Sequence, residues 1–227
     1  MIRLHFFGKG AAFYPAFGNT NAWFTAGGEL FFLDFGESAF EKAARLPQLR
    51  ECEKVTVLLT HLHADHAGSL PSLCSYCAMV LGKRITVVHP SRTVVDFLTL
   101  TGISPDFYTW LPELPAGAPV RAKAHPVQHA KDMACFGYEI SDGEETVYFS
   151  GDAAEPCREV TEGFLSGRIA RMYHDTASHE SASHCWYRRL EEAIPAKERA
   201  RVFCMHLDGD YAGMLKDLGF SVVEPEE

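Results

Sequence analysis

Apolar residues fall into short β-branched or aromatic runs that alternate with helically spaced stretches from one end of the chain to the other. The runs predict strands over 2–7, 22–25, 30–34, 55–59, 85–88, 120–124, 135–140, 147–150, 169–173 and 202–205. The helical spacing predicts helices over 39–45, 68–79, 92–100, 158–165, 183–194 and 211–218. SDGE at 141–144, between two strand patterns, is a hairpin turn signal, and LPELPAGAP at 111–119 reads as a connection halfway along. No short-period repeat and no linker divides the chain, so residues 1–227 read as a single α/β domain. Mixed strands and helices with an antiparallel hairpin predict two sheets packed face to face with helices outside.

Composition narrows this picture only a little. Hydrophobic residues make up 47% and charged residues 22%, ordinary values for a globular protein. A net charge of -9 argues against a nonspecific grip on a polyanion, which needs clustered Lys and Arg. The apolar runs fall short of the roughly 20 residues a membrane helix needs, and MIRLHFFGKG has no signal-peptide core. The seven cysteines show no disulfide framework and are read as reduced thiols, an expectation of cytoplasmic residence. Cys74 and Cys77 spell CxxC inside the predicted helix 68–79, where two thiols on a helix face are the favoured reading over a redox or metal pair.

VLLTHLHADHAG, at 57–68, places His61, His63, Asp65 and His66 directly behind an apolar strand pattern. In an extended segment alternate residues point the same way, so His61 and His63 aim at one point past the strand end. Asp65 and His66 follow where the chain must turn, and Gly68 eases that turn. Imidazole and carboxylate donors suit Zn²⁺ first, with Mn²⁺ or Fe as alternatives, ahead of Mg²⁺ or Ca²⁺. A lone histidine would be an ordinary core or surface residue; four donors in six positions predict a metal site. Phe13, Tyr14, Phe17, Phe107, Tyr108 and Trp110 fall in loop-like segments and either wall a pocket or pack as loop core.

THLHADH (60–66) matches the HxHxDH signature of the metallo-β-lactamase fold superfamily, and further segments resemble its landmarks in order. FGKG (7–10) is similar to the glycine turn after the first strand, FLDFG (32–36) to the strand bearing a supporting aspartate, here Asp34. SGDA (150–153) resembles the strand end with a bridging aspartate, and CMHL (204–207) the strand that ends in the last histidine ligand. The resemblance implies a four-layer αββα sandwich of two mixed β-sheets flanked by helices, holding two divalent metal ions. It implies His61, His63 and His129 on one ion, Asp65, His66 and His206 on the other, and Asp152 with a water or hydroxide between. His125, in HPVQHA, competes with His129; FGYEI (136–140) favours His129, because a similar strand follows that histidine in ribonuclease Z-like members.

Asp152 stands where β-lactamases of this fold have cysteine, and His63 where the oxygen-reducing diiron branch has glutamate. The chain is most similar to the ribonuclease Z and phosphodiesterase branch. YHDTAS (173–178) resembles its His-Glu-Ala-Thr segment, with Asp175 one methylene shorter than the glutamate, and His184 resembles its second proton-shuttle residue. His174 and His179 remain alternatives for that role. No long basic arm fits between Asp152 and His206, so stable tRNA binding is not expected and a small-molecule substrate is. The implied activity is a dinuclear metal-dependent hydrolase, most simply a phosphodiesterase. A metal-bridging hydroxide would attack, Asp65 would orient it, and His184 with Asp175 would protonate the leaving group. Lactone, thioester or carboxylic-ester hydrolysis is the second reading, and a non-catalytic metal-binding sensor or scaffold the third. Homodimers are common among such relatives, although no patch in the sequence identifies one.

Overall fold

The computed structural model describes residues 1–226, and its strands form two six-stranded sheets whose neighbours follow chain order. The first sheet holds β1 (His5–Phe6), β2 (Ala22–Ala26), β3 (Glu29–Leu33), β4 (Val55–Leu58), β5 (Ile85–Val88) and β6 (Tyr108–Leu111). The second holds β7 (Arg121–Pro126), β8 (Phe136–Ser141), β9 (Thr146–Phe149), β10 (Arg171–Asp175), β11 (Val202–Met205) and β12 (Ser221–Val222). In each sheet the first three strands pair antiparallel, and from the third onward neighbours pair parallel. The two halves of the chain thus share one topology that no residue-level repeat discloses.

Strand alternation builds the layers. In β3, Leu30 and Phe32 face the helices while Phe31 and Leu33 face the other sheet. In β9, Tyr148 points outward, and its neighbours Val147 and Phe149 point in. The first helical layer comprises α1 (Ala39–Ala43), α2 (Pro47–Glu51), the short α3 (Ala64–Ala67), α4 (Leu70–Met79) and α5 (Thr93–Leu100). Leu70, Leu73, Cys74 and Cys77 of α4 and Val94 and Leu98 of α5 are buried in it. The other layer comprises α6 (Arg158–Leu165), α7 (Tyr187–Ala193) and α8 (Ala212–Asp217), which bury Val160, Phe164, Leu190 and Leu215 against Tyr148, Met172 and Cys204. Three apolar interfaces between four layers make the expected αββα sandwich. Among the described residues no helix is long and apolar enough to cross a membrane.

Several boundaries differ from the sequence pattern. The strand expected over 2–7 is reduced to His5–Phe6, although Ile2 and Leu4 are still buried between the sheets. Tyr108–Leu111 is a sheet-edge strand, and Phe107, Tyr108 and Trp110 pack in the first helical layer rather than walling a pocket. The helix expected over 183–194 begins only at Tyr187. Ser181 Oγ accepts from the N–H groups of Ser183 and His184 at 3.2 Å, a local turn that competes with helix formation. That turn frees His184 from a helix face. Cys74 and Cys77 are free, and burial pushes their thiols up to about 12 and about 11, which makes them inert core groups.

Candidate metal centre

The groups of His and Asp donors lie at the carboxyl ends of strands, where open α/β sheets place their ligands. The segment after β4 carries His61 and His63, and α3 carries Asp65 and His66. From the second sheet come His129 after β7, Asp152 after β9, Asp175 at the end of β10 and His206 after β11. Asp34 and His206, both at strand ends, have positive φ of 62° and 58°. Backbone conformations this uncommon for side-chain-bearing residues persist where the surroundings impose them, and they collect at functional sites.

Asp34 is wholly buried and organises the loop after β4. Its Oδ1 accepts from Thr60 N–H at 2.7 Å, and its Oδ2 accepts from the Thr60 hydroxyl at 2.8 Å and His66 Nδ1 at 2.7 Å. Because the Thr60 hydroxyl donates to Asp34, its oxygen accepts from His61 Nδ1–H at 3.0 Å. His129 Nδ1 likewise donates to Ser183 O at 2.8 Å. In all three rings the proton is fixed on Nδ1, leaving Nε2 with a lone pair for the centre, the arrangement that outer hydrogen bonds impose on metal-binding histidines. Gly36 lets the Asp65 backbone approach: a Cβ there would lie 1.8 Å from Asp65 O. Asn21 closes the junction, accepting from Gly36 N–H at 2.8 Å and donating to Asp65 O at 3.1 Å.

Two donor groups draw on both sheets, and they share Asp152. His61, His63, His129 and Asp152 offer donor atoms within 4.8 Å of one another, as do Asp65, His66, Asp152 and His206. His63 Nδ1 lies 3.0 Å from both His61 Nε2 and His129 Nε2. Asp152 turns Oδ2 to this group, 3.5 Å from His129 Nε2 and 3.8 Å from His61 Nε2. Its Oδ1 faces the other, 3.1 Å from His66 Nε2 and 3.3 Å from His206 Nε2. Asp65 Oδ2 completes that second group at 3.1 Å and 3.2 Å from the same two nitrogens. His66 Nε2 and Asp152 Oδ1 are buried without a hydrogen-bond partner. Orphaned donors of this kind are costly unless an ion takes them up, so the residues fit two divalent cations.

The protonation pattern of the chain alone agrees. Burial pushes His61 and His63 down, which keeps them neutral as ligands must be. Burial alone would raise Asp65, but the hydrogen bond from His206 and the closeness of the His66 ring hold it well below the usual carboxylate range. Burial also opposes charge on His206, yet Asp152, Asp175 and Asp65 around it carry its pKa up to about 10. The carboxylates thus draw positive charge to the place where a cation would sit.

A third group lies beside the first two. His184 Nδ1 is 2.9 Å from Asp175 Oδ2 and 3.9 Å from Asp152 Oδ2, and its ring stacks on His206 at 5.1 Å. Asp175 is fully buried and also accepts from Ala153 N–H at 3.1 Å. Burial lowers the His184 pKa, but the Asp175 hydrogen bond and charge reverse this and raise it. Of the alternative histidines, His174 is buried with Nδ1 on Asp175 O at 2.8 Å and does not line the cavity. His179 stands at the cavity rim, paired with Asp208 Oδ2 at 3.0 Å. His125 is buried outside both donor groups, its Nε2 3.4 Å from Glu139 Oε2. His63, Asp65, His129, Asp152, His184 and His206 all open into one cavity of about 590 Å³, a size suited to a small molecule. Asn21 and Asp208, the partner of His179 at the rim, were not singled out by the sequence pattern; neither has a local signature, and only the fold brings them to the site.

A family model described as "Anti-Pycsar protein Apyc1" matches residues 2–103, which include Asp34 and the histidine-rich loop. The Anti-Pycsar protein Apyc1 of Bacillus phage BSP38 is 27% identical over 230 residues, covering 88% of this chain and 86% of that protein. The metallo-β-lactamase fold protein YhfI from Bacillus subtilis superposes with a TM-score of 0.76 at 19% identity, covering 98% of this chain and 95% of the other. Human tRNase Z, short form, gives a TM-score of 0.71 at 17% identity, covering 100% and 97%. From the paired six-stranded sheets to the donor groups at their strand ends, the chain has the metallo-β-lactamase fold.

Proposed function

We propose that this chain is a dinuclear metal-dependent phosphodiesterase acting on a small phosphodiester or nucleotide. The observation that carries the reading is the His184–Asp175 pair, placed beside two donor groups that share Asp152. Splitting a phosphodiester requires an activated water, neutralisation of the nonbridging oxygens and a proton for the departing oxygen. Cations held by His61, His63, His129 and Asp152, and by Asp65, His66, His206 and Asp152, supply the first two requirements by lowering the pKa of water and compensating charge. The residues supply the rest. Asp65, at the cavity wall, orients the attacking water. His184 carries a proton on a ring that opens to the cavity, and buried Asp175 fixes that ring through Nδ1, so Nε2 is the atom that protonates the leaving oxygen.

The likeness to a tRNase Z and to an Anti-Pycsar protein, a phosphodiesterase-type activity, supports phosphorus over carbonyl chemistry. The net charge of -9, and the single helix–strand stretch of α6 and β10 from Asp152 to Asp175, support a small substrate over tRNA. A donor set of imidazoles and carboxylates favours Zn²⁺, with Mn²⁺ or Fe as alternatives. Seven free cysteines support a reducing, cytoplasmic setting. The test is hydrolysis of bis(p-nitrophenyl) phosphate by protein stripped of metal and reloaded with Zn²⁺ or Mn²⁺, with His63→Ala as the blank. Metal-restored turnover that the variant lacks supports the reading. No turnover by protein shown to bind two ions overturns it; turnover of lactones or thioesters by that protein would assign ester hydrolysis, and inertness toward both a sensor or scaffold.

A further inference from the structure

We infer that Asp175, His184 and Asp152 form a third cation site, filled by Zn²⁺ in excess, which blocks the acid and so inhibits turnover. The inference rests on the phosphodiesterase reading above and names a regulation of that same site. Asp152, Asp175, His184 and His206 offer donor atoms within 4.8 Å of one another. Two carboxylates and two imidazoles are the same donor set as Asp65, Asp152, His66 and His206, the group that would hold the second cation. The first two groups span both sheets, whereas this one draws on the second sheet and the loop beside it. Asp152 follows β9, Asp175 ends β10, His206 follows β11 and His184 precedes α7.

His206 divides its two nitrogens between these groups. Nε2 faces Asp65 and Asp152, and Nδ1 lies 3.5 Å from Asp175 Oδ1. Neither His206 Nδ1 nor Asp175 Oδ1 has a hydrogen-bond partner among the described residues, although His206 is 3% and Asp175 0% exposed. Buried polar atoms left over in this way mark a place with capacity for a ligand. The other oxygen, Asp175 Oδ2, lies 2.9 Å from His184 Nδ1, which is 3.9 Å from Asp152 Oδ2. Those three atoms are the donors for the cation, and His206, engaged at Nε2, flanks them. One imidazole and two carboxylates suit Zn²⁺ ahead of Mg²⁺ or Ca²⁺.

The donors are held in place before a cation arrives. Asp175 N–H donates to Ser150 Oγ at 2.9 Å, and Ala153 N–H donates to Asp175 Oδ2 at 3.1 Å. His184 N–H donates to Ser181 Oγ at 3.2 Å. His184 lines the cavity with 29% of its side chain exposed, so a cation reaches it from solvent. Binding places Zn²⁺ on Nδ1 in place of the proton that Nδ1 donates to Asp175, and that proton leaves to solvent. The ring can then no longer be an imidazolium, and Nε2 has no readily released proton for the departing oxygen. The other groups bring three and two imidazoles, this one brings one and borrows Asp152, so it is the weakest of the three and fills last.

The test counts bound zinc by equilibrium dialysis over rising Zn²⁺, and follows hydrolysis of methyl phenyl phosphate and methyl p-nitrophenyl phosphate by the same samples. Wild type is expected to take up a third, weaker equivalent, which His184→Ala lacks and Asp175→Asn binds more weakly still. As that equivalent binds, turnover of the phenyl ester should fall at least about tenfold further than that of the p-nitrophenyl ester, because phenolate is the leaving group that needs the proton. His184→Ala has no acid left to block, so its two rates should not diverge as zinc rises. A count that stops at two in wild type, or a third equivalent kept undiminished by either variant, overturns the site. Equal losses on both esters, or none, with the third equivalent bound, overturn the inhibition through His184 and leave the phosphodiesterase reading standing. Failure of metal-loaded wild type to hydrolyse either ester overturns that reading and the inhibition with it, while the zinc count still decides the site.

Discussion

Replacement of Asp34 is the most direct perturbation of the centre that touches none of its donor atoms. The carboxylate is fully buried, and it satisfies Thr60 N–H, the Thr60 hydroxyl and His66 Nδ1. Thr60 is also fully buried and His66 is 1% exposed, so water cannot replace the acceptor without rearrangement. Each stranded donor costs about 1–3 kcal/mol. The three share one acceptor and do not add, and burial of the carboxylate carries its own penalty, seen in its raised pKa. A loss of about 3–5 kcal/mol, typical for removing one partner of a buried ionic group, is therefore expected for Asp34→Ala. The left-handed backbone, φ 62°, adds roughly 1 kcal/mol for alanine. Asn tolerates that backbone and keeps one carbonyl acceptor, so Asp34→Asn should lose about half as much. The assay is urea unfolding in a chelating buffer, followed by tryptophan fluorescence. Zn²⁺ affinity from a competition titration should fall about 10–100-fold in both variants, because His61 and His66 lose the anchor that fixes their tautomers. Unfolding of Asp34→Ala within about 1 kcal/mol of wild type, with Zn²⁺ affinity unchanged, would refute the reasoning.

Three further outcomes follow from other residues. His184→Ala should lower kcat about 10²–10⁴-fold on a phosphodiester with an alkoxide leaving group, the range of general acid catalysis, but have a much smaller effect on p-nitrophenyl esters, whose leaving group needs no proton; equal losses on both would show that His184 is not the acid. Gly36→Ala sets a Cβ against the Asp65 carbonyl, a backbone atom with no rotamer to escape into, and should cost about 3 kcal/mol or more by thermal or urea unfolding. Burial, with Lys123, lowers the His125 pKa despite Glu139 and Glu159, so neutral His125 favours the fold above the ordinary histidine pKa. That contribution is lost as pH falls through the lowered folded-state value; urea midpoints between pH 7 and 5 should therefore fall more steeply for wild type than for His125→Gln, and parallel curves would contradict the assignment.

How far the sequence spoke depended on range. His61, His63, Asp65 and His66 are contiguous, and a strand followed by a turn is enough to bring them together. Strands β3 and β9 were legible because alternate positions serve two apolar interfaces, which leaves an unbroken hydrophobic run. Tyr108–Leu111 was not legible as a strand: it sits at a sheet edge after a 3-10 turn at Pro105–Phe107, and its aromatic residues fit loop and strand equally. The start of α7 was misplaced because the Ser181 turn competes locally with helix, and that same misplacement concealed how His184 reaches Asp175. His125 and His129 could not be separated by spacing alone. Register separates them: His125 lies in the β7 ladder opposite Gly137, whereas His129 lies beyond the strand end, free to turn toward His63.

Asp152 gives the last prediction its physical basis. The first sheet contributes His61, His63, Asp65 and His66, and the second contributes His129, Asp152 and His206, so each of these two donor groups needs both sheets. The sheets are already joined near the site, for Phe136 N–H donates to Thr60 O at 3.1 Å and the Tyr138 hydroxyl to Leu59 O at 3.0 Å. Cations held by both sheets would add their binding free energy to that docking, because an unfolded chain offers no assembled site. A ligand at a hundredfold excess over its Kd stabilises the folded state by about 2.7 kcal/mol per site. Zn²⁺ added to metal-stripped protein should therefore raise the unfolding midpoint progressively with concentration, and His206→Ala should weaken that response. Asp152→Asn should weaken it more than His206→Ala does, because one carboxylate serves both donor groups. Equal responses of the two variants would mean that Asp152 does not join the groups. A midpoint indifferent to Zn²⁺ would mean that the imidazoles and carboxylates converge for another reason.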